Sequence, residues 1–249
     1  MGALLGPIFA PEQPDYLADQ ARALAGAGFD SLWTAQAVGR GFMLTDPLTT
    51  LTVAATVTDD VELGTAILQL SLYNPMDVAY RLFSLAQIAG PRLQIGVGAG
   101  STEADFVALE QDFGGRFGRF RRDVDRLRDV LATGAEGDKN LAPWPNTLGS
   151  IPLLYGTWGN GVAKAATEFD GWIASGMHRS PDEVLEALVG YREAGGSRAL
   201  VSTIQISGET DLGEQRATFE RYAEAGIDDV IVMLLPGAPD LESVRRLVS

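Results

Sequence analysis

Two glycine-dense segments and one histidine are the residues best suited to chemistry. Gly96-Val97-Gly98-Ala99-Gly100-Ser101-Thr102 carries glycines at alternate positions. Such spacing lets a backbone approach a flat ligand closely, with Ser101 and Thr102 as hydrogen-bond donors; the competing reading is a turn that needs positive φ. Tyr155-Gly156-Thr157-Trp158-Gly159-Asn160-Gly161 runs straight into a helical stretch. Free N–H groups at a glycine-rich helix start hold a phosphate or other anion, and the alternative is a plain start capped by Asn160 or Thr157. His178, the only histidine, can hydrogen-bond a phosphate or exchange a proton; a solvated loop histidine is the other reading. Gln36 is a neutral hydrogen-bonding group that cannot act as a base. Arg40 can meet an anion or be solvated. The arginines of Arg116-Phe117-Gly118-Arg119-Phe120-Arg121-Arg122 interleave with Asp123, Asp125 and Asp129, which reads as a salt-bridged exposed face.

These residues must be positioned by a scaffold, and the chain punctuates one clearly. Short apolar runs at Leu4–Ile8, Ser31–Ala35, Val61–Leu70, Leu93–Gly98, Ile151–Tyr155, Gly171–Ala174, Ala199–Ile206 and Asp228–Leu234 are predicted strands. Between them lie predicted helices at Asp15–Ala27, Pro47–Val57, Met76–Ala89, Phe117–Ala132, Gly161–Phe169, Pro181–Ala194, Asp211–Ala225 and Asp240–Val248. Glycines after Ala25 and Ala225 stop two helices, and Ser180-Pro181-Asp182-Glu183 starts another. Strict alternation implies a parallel sheet of right-handed βαβ units. Eight units in 249 residues predict an α/β fold of the (β/α)8 TIM-barrel type, a single domain over 1–249. A doubly wound sheet would place a glycine-rich turn after the first strand, where Phe9-Ala10-Pro11-Glu12-Gln13-Pro14 stands instead. In a barrel the chemistry sits at the C-terminal strand ends, where the segments above fall. Thr133–Ser150 is read as a long excursion on the strand-to-helix side, shaping the pocket together with Gly39–Thr45.

Composition narrows the classes. The chain is 46% apolar and 21% charged, with 19 Lys plus Arg against 33 Asp plus Glu, a formal charge of −14. Such a surface repels nucleic acid. With no Cys and one His, thiolate chemistry, disulfides, Cys-ligated metal and a multi-histidine metal site drop out. No run approaches the roughly 18 apolar residues of a membrane helix, and no secretory signal opens the chain; the expectation is a cytoplasmic protein acting on a small molecule, with no metal and no membrane partner.

The order of short motifs adds a resemblance. Gly28-Phe29-Asp30-Ser31-Leu32-Trp33, Asp46-Pro47-Leu48-Thr49, Val61-Glu62-Leu63-Gly64-Thr65-Ala66, Asn74-Pro75, Ile95-Gly96-Val97-Gly98-Ala99-Gly100, and Ala165-Ala166 through Asp170-Gly171-Trp172-Ile173 together resemble the bacterial luciferase-like flavin-dependent oxidoreductases. Trp33 to Arg40 is similar to a subgroup using the deazaflavin coenzyme F-420. The resemblance implies a shortened luciferase-like barrel binding FMN or coenzyme F-420 at its mouth, for hydride transfer or monooxygenation of a small organic substrate. It implies a non-proline cis peptide between Ala66 and Ile67 supporting the ring. Ring and ribityl contacts would come from Gly98, Gly100, Ser101 and Thr102, and phosphate contacts from Gly156, Thr157, Trp158, Gly159, Asn160 and Gly161. It further implies a homodimer, with a flavin reductase or deazaflavin-reducing system as partner. Gln36 and Ala37 stand where relatives often carry an acid–histidine pair, and Ala99 stands where some carry a phosphate-gripping arginine, so Gln36 and His178 are left as the catalytic candidates. Two alternatives stay open: a non-catalytic flavin-binding protein or partner subunit, and a barrel enzyme whose glycine loop holds a phosphorylated metabolite.

Overall fold

The computed structural model describes residues 1–6, 15–42, 44–141 and 150–248. Strands and helices alternate along the chain: β1 (Gly2–Leu5), α1 (Tyr16–Gly26), β2 (Ser31–Thr34), α2 (Pro47–Val57), β3 (Glu62–Gln69), α3 (Pro75–Ala89), β4 (Leu93–Gly98), α4 (Glu103–Ala108) and α5 (Arg116–Thr133). A two-residue ribbon follows, β5 (Ala135–Glu136) with β6 (Lys139–Asn140). Then come β7 (Leu153–Gly156), α6 (Gly161–Glu168), β8 (Gly171–Ser175), α7 (Pro181–Glu193), β9 (Ala199–Ile206), α8 (Leu212–Ala225), β10 (Asp229–Leu234) and α9 (Leu241–Arg245). Eight parallel strands close in the order β1-β10-β9-β8-β7-β4-β3-β2. The predicted (β/α)8 barrel is therefore the fold.

The helices start where local chemistry dictates. Asp46, Asn74, Asp211 and Asp240 each accept a hydrogen bond from a first-turn N–H, and Ser180 and Glu183 form a reciprocal capping box. Left-handed glycines, Gly134 and Gly226, end α5 and α8.

Burial separates into two layers. Outside the strands, a continuous apolar layer includes Leu24, Leu51, Leu82, Phe120, Leu127, Val184 and Tyr191. Inside, Leu4, Trp33, Leu154, Ile173, Leu200 and Ile231 plug the barrel, with Ala35, Ala66, Ile67 and Met233 packed on top. Trp33 is fully buried, and Gly2 and Gly64 are glycines because a Cβ at either would collide with its ring. The plug leaves the C-terminal end of the barrel as the only place inside the strands where a cavity can open among the described residues.

Some boundaries shift. β1 begins at Gly2 rather than Leu4, because Gly2 to Leu5 pair with Ser31 to Thr34; residues 7 and 8 of the predicted first strand, and residues 142–149 of the predicted excursion, lie outside the described residues. Two elements were not anticipated, α4 and the ribbon. The excursion after Thr133 is corrected in its place: it connects a helix to the next strand, so its described part leaves from the N-terminal face, away from the barrel mouth. There Arg126 pairs with Glu136 through both oxygens, at 2.5 and 3.0 Å. No helix among the described residues is long and apolar enough to cross a membrane.

Candidate functional site

A cavity of about 660 Å³ opens at the C-terminal ends of the strands. Its floor is the top of the interior plug, where Ala35, Ala66, Ile67, Ile173 and Met233 reach it. Of the residues predicted as catalytic or cofactor-binding, nine line it: Gln36, Ala66, Ile67, Gly100, Ser101, Gly156, Thr157, Trp158 and His178. Gly98, Thr102, Gly159, Asn160 and Gly161 are not among the lining residues.

On the β3 side, the peptide bond between Ala66 and Ile67 is cis, and the β3–β4 register shifts between Thr65 and Leu68. Ile67 then projects between two neighbouring strands. A Cβ at Gly98 or at Gly156 would collide with the Ile67 side chain, so both are glycine to admit it. Gly98 thus serves the wall rather than facing the cavity. Gly100 has φ +86°, the turn conformation offered as the plainer reading of this segment, yet it also borders the cavity.

The β2 end is held by a hydrogen-bond network. Gln36 is buried; its amide donates to the Tyr73 hydroxyl, and its carbonyl accepts from the Gln69 N–H at 2.8 Å. The Gln69 amide donates to Asp105 at 2.7 Å. Asp105, fully buried on α4, also accepts from Val38 N–H at 3.0 Å, from Arg40 Nε at 2.8 Å and from a second Arg40 nitrogen. Burial pushes the Asp105 carboxyl up, but these donors outweigh it and hold its pKa below the usual carboxylate value. Arg40 is half-buried at the cavity edge and already paired, so it clasps the loop after β2 onto α4. Gln36, offered as a catalytic candidate, has both ends of its amide committed.

Arg116 departs most from expectation. Instead of joining an exposed salt-bridged face, it turns into the cavity. Its Nε donates to Gly100 O at 3.0 Å and Nη1 to Phe113 O at 3.0 Å, while its guanidinium lies 3.7 Å from the Phe113 ring centre and 4.2 Å from that of Phe117. It forms no ion pair among the described residues. Of the rest of the basic run, Arg122 pairs with Asp123 as read, but Arg119 donates to the Gln111 side chain and to Asp112 O, and neither Arg119 nor Arg121 forms an ion pair among the described residues; further along the helix Arg126 pairs with Asp123 and Arg128 with Asp125.

On the β7 and β8 side, Trp172 is fully buried and its indole N–H donates to Thr157 O at 3.0 Å, pinning the loop before α6. The α6 start has no side-chain cap from Asn160. Its Gly161 and Val162 N–H groups are turned back to Trp158 O and Gly159 O, at 3.2 and 3.0 Å, so the helix start offers fewer free donors than predicted. His178 is exposed at the rim beside Arg179, whose guanidinium sits 4.6 Å from the Trp158 ring centre.

Sequence reading missed Arg116, Arg179, Ser175, Ser202 and Thr203, all of which line the cavity. The Phe113–Arg116–Phe117 spacing was a usable signal, since an arginine flanked by rings has less need of an acid. Among the described residues no group of three or more His, Asp or Glu is arranged to hold a metal ion.

The profile of the luciferase-like monooxygenase family matches residues 4–242. The chain belongs to the luciferase-like monooxygenase family. A Mycobacterium tuberculosis member named as a coenzyme F-420-dependent oxidoreductase is 30% identical over 194 residues, 70% of this chain and 54% of that protein. The chain thus spans about half the length of that curated relative. Two solved structures share the barrel. A Streptomyces bottropensis monooxygenase has a TM-score of 0.77 at 19% identity, covering 99% of this chain and 95% of the other. An F-420-dependent secondary alcohol dehydrogenase, solved with an F-420–acetone adduct, has a TM-score of 0.79 at 17% identity, covering 99% and 97%.

Proposed function

We propose that this luciferase-like chain is an oxidoreductase that holds FMN or coenzyme F-420 in the mouth cavity and acts there on a small organic molecule. The observation that carries the reading is the pairing of a roomy cavity with an unneutralised guanidinium. Arg116 faces about 660 Å³ of space with no carboxylate partner among the described residues, an arrangement that favours a ligand bearing an anionic group. When bound, either cofactor supplies hydride transfer, and FMN also supplies oxygen chemistry.

The chain's own groups have distinct parts in this reading. The Ala66–Ile67 segment, backed by Gly98 and Gly156, gives a low wall against which a flat ring can lie. Arg116 and the Thr157 side of the β7 loop hold the phosphate, through a charge-assisted hydrogen bond and a hydroxyl. Gln36 and Asp105 set the position of the loop after β2 and move no proton. His178 is the group at the rim able to exchange one. One relative's name specifies coenzyme F-420 and another's a monooxygenase, so the reading keeps both cofactors.

The test is a titration of the purified chain with FMN and with coenzyme F-420, followed by absorbance and fluorescence. Tight binding of one is expected. Failure of both sinks the proposal and favours a phosphorylated metabolite as the anionic ligand.

A further inference from the structure

The cavity has two chemically different sides, and the second remains unassigned after the cofactor is given its place. Arg116, Thr157, Trp158, His178 and Arg179 lie at the ends of β4, β7 and β8. On the opposite side, at the ends of β10, β1 and β2, the lining is Leu4, Leu5, Phe42, Leu44, Met233 and Leu234. Among the described residues no carboxylate lines the cavity, and Arg40, the cation beside the apolar wall, is neutralised by Asp105. Gln20, also on this side, already accepts from the Gly6 N–H through Oε1. A charged group placed here would lose its hydration without gaining a partner.

The next strand round, β9, supplies this wall with hydrogen-bonding groups. Successive strand residues point to opposite faces, yet Ser202 and Thr203 both line the cavity. The backbone explains how. Thr203 has φ +62°, a conformation rare for a β-branched residue, and the β9–β10 register shifts beside it, between Val230 and Val232. The two hydroxyls lie 3.1 Å apart. One donates to the other, which leaves a single hydroxyl proton for a ligand.

We propose that the β10–β1–β2 wall is the substrate side, that it takes an uncharged and largely apolar molecule, and that the Ser202–Thr203 hydroxyl pair orients it by donating one hydrogen bond to its carbonyl or hydroxyl oxygen. This rests on the reading that the cofactor occupies the Arg116 side. It makes Ser202 and Thr203 specificity-determining residues, and an unusual backbone at Thr203 the device that brings two consecutive side chains to one face.

The test uses the purified full chain and three probes of similar size: acetophenone, ethylbenzene and benzoate. Binding is measured by ligand-observed NMR, with FMN and coenzyme F-420 titrated separately by absorbance. Acetophenone is expected to bind and to resist displacement by benzoate. Ser202→Ala combined with Thr203→Val should weaken acetophenone about fivefold, the worth of one neutral hydrogen bond, and leave ethylbenzene and cofactor binding unchanged. Thr203→Ser, which keeps the hydroxyl, should retain the wild-type affinity; if the double variant does not fold, the wild type itself carries the test, since it should bind acetophenone about fivefold more tightly than ethylbenzene, and equal affinity for the two overturns the inference. Displacement of acetophenone by benzoate at equal concentration, or a folded double variant with unchanged acetophenone affinity, overturns the inference. If neither cofactor binds while acetophenone still shows the hydroxyl dependence, the cofactor reading falls and the substrate wall stands.

Discussion

The two ends of this barrel use the same residue types to opposite purpose. At the N-terminal end, Arg198 precedes β9 and donates to both oxygens of Glu62, at the start of β3 across the barrel, at 3.2 and 2.6 Å. It also donates to Asp229, at the start of β10, at 2.7 Å. Burial alone would lower the Arg198 pKa, but its two acidic partners raise it further. The amino group of Met1 meets Asp30 at 2.7 Å, and Arg245 reaches the same carboxylate at 3.2 Å. These charges satisfy one another. At the mouth, Arg116 faces the cavity with only carbonyls and aromatic rings as partners among the described residues, and the strand backbones break their regularity at Ala66–Ile67 and at Thr203. The paired arginine closes the barrel, whereas Arg116, with no acidic partner among the described residues, is open to an anionic ligand.

The largest effect should come from breaking the closed end. Arg198→Ala takes from Glu62 and Asp229 the guanidinium they share and leaves only the Met1 amino group, 4.0 Å from Asp229, as a nearby cation among the described residues, at a cost of about 3 kcal/mol. Urea unfolding is expected to show that loss, while ligand binding by the folded fraction stays as in the wild type; an equal loss of binding would mean the two ends are coupled. Next is Asp105→Asn, which removes the charge and replaces one of the two acceptor oxygens that hold Arg40, Gln69 and Val38 by a donor, and should cost about 2–3 kcal/mol. Because these donors lower the folded-state pKa of Asp105, its contribution is present above the unfolded-state pKa and is lost as the pH falls through the folded one. Unfolding curves of wild type and variant should therefore converge in acid; a gap that persists there would assign the loss to packing.

Arg116→Met should reverse the pattern seen at Arg198. Stability should change by less than about 1 kcal/mol, and an anionic ligand should bind about ten- to thirtyfold more weakly, as read by calorimetry. A large stability loss with unaltered binding would make Arg116 another structural arginine. His178→Ala is expected to have the smallest effect, about 1 kcal/mol in binding or turnover with no shift in melting temperature. No change in either would leave His178 a solvated loop residue.

The contrast also explains what could be read from the chain. Apolar periodicity and glycine or Ser-Pro punctuation carried the barrel, because each reports a local constraint: a strand buried on both faces, or a helix that must start or stop. The glycines at 98 and 156 were visible as special, but their partner, Ile67, lies on another strand, so their role needed the fold. Arg116 was misread since a cluster of alternating charges along a helix does not reveal which member turns inward. Ser202 and Thr203 passed as ordinary strand residues, because a positive φ at a threonine leaves no mark in sequence. Residues that act through local geometry were legible, and residues that act across the barrel were not.

Binding of an anionic cofactor through Arg116 at the mouth, with the opposite end only closing the barrel, is the proposed difference between the two ends. It is tested most directly by titrating wild type and Arg116→Met with FMN against riboflavin, and with coenzyme F-420 against its phosphate-free deazariboflavin. For one of these pairs the wild type should prefer the phosphorylated form by about tenfold or more, and Arg116→Met should erase most of the preference at nearly unchanged stability. Equal affinity for phosphorylated and phosphate-free forms in the wild type, or a preference that survives in Arg116→Met, would contradict it.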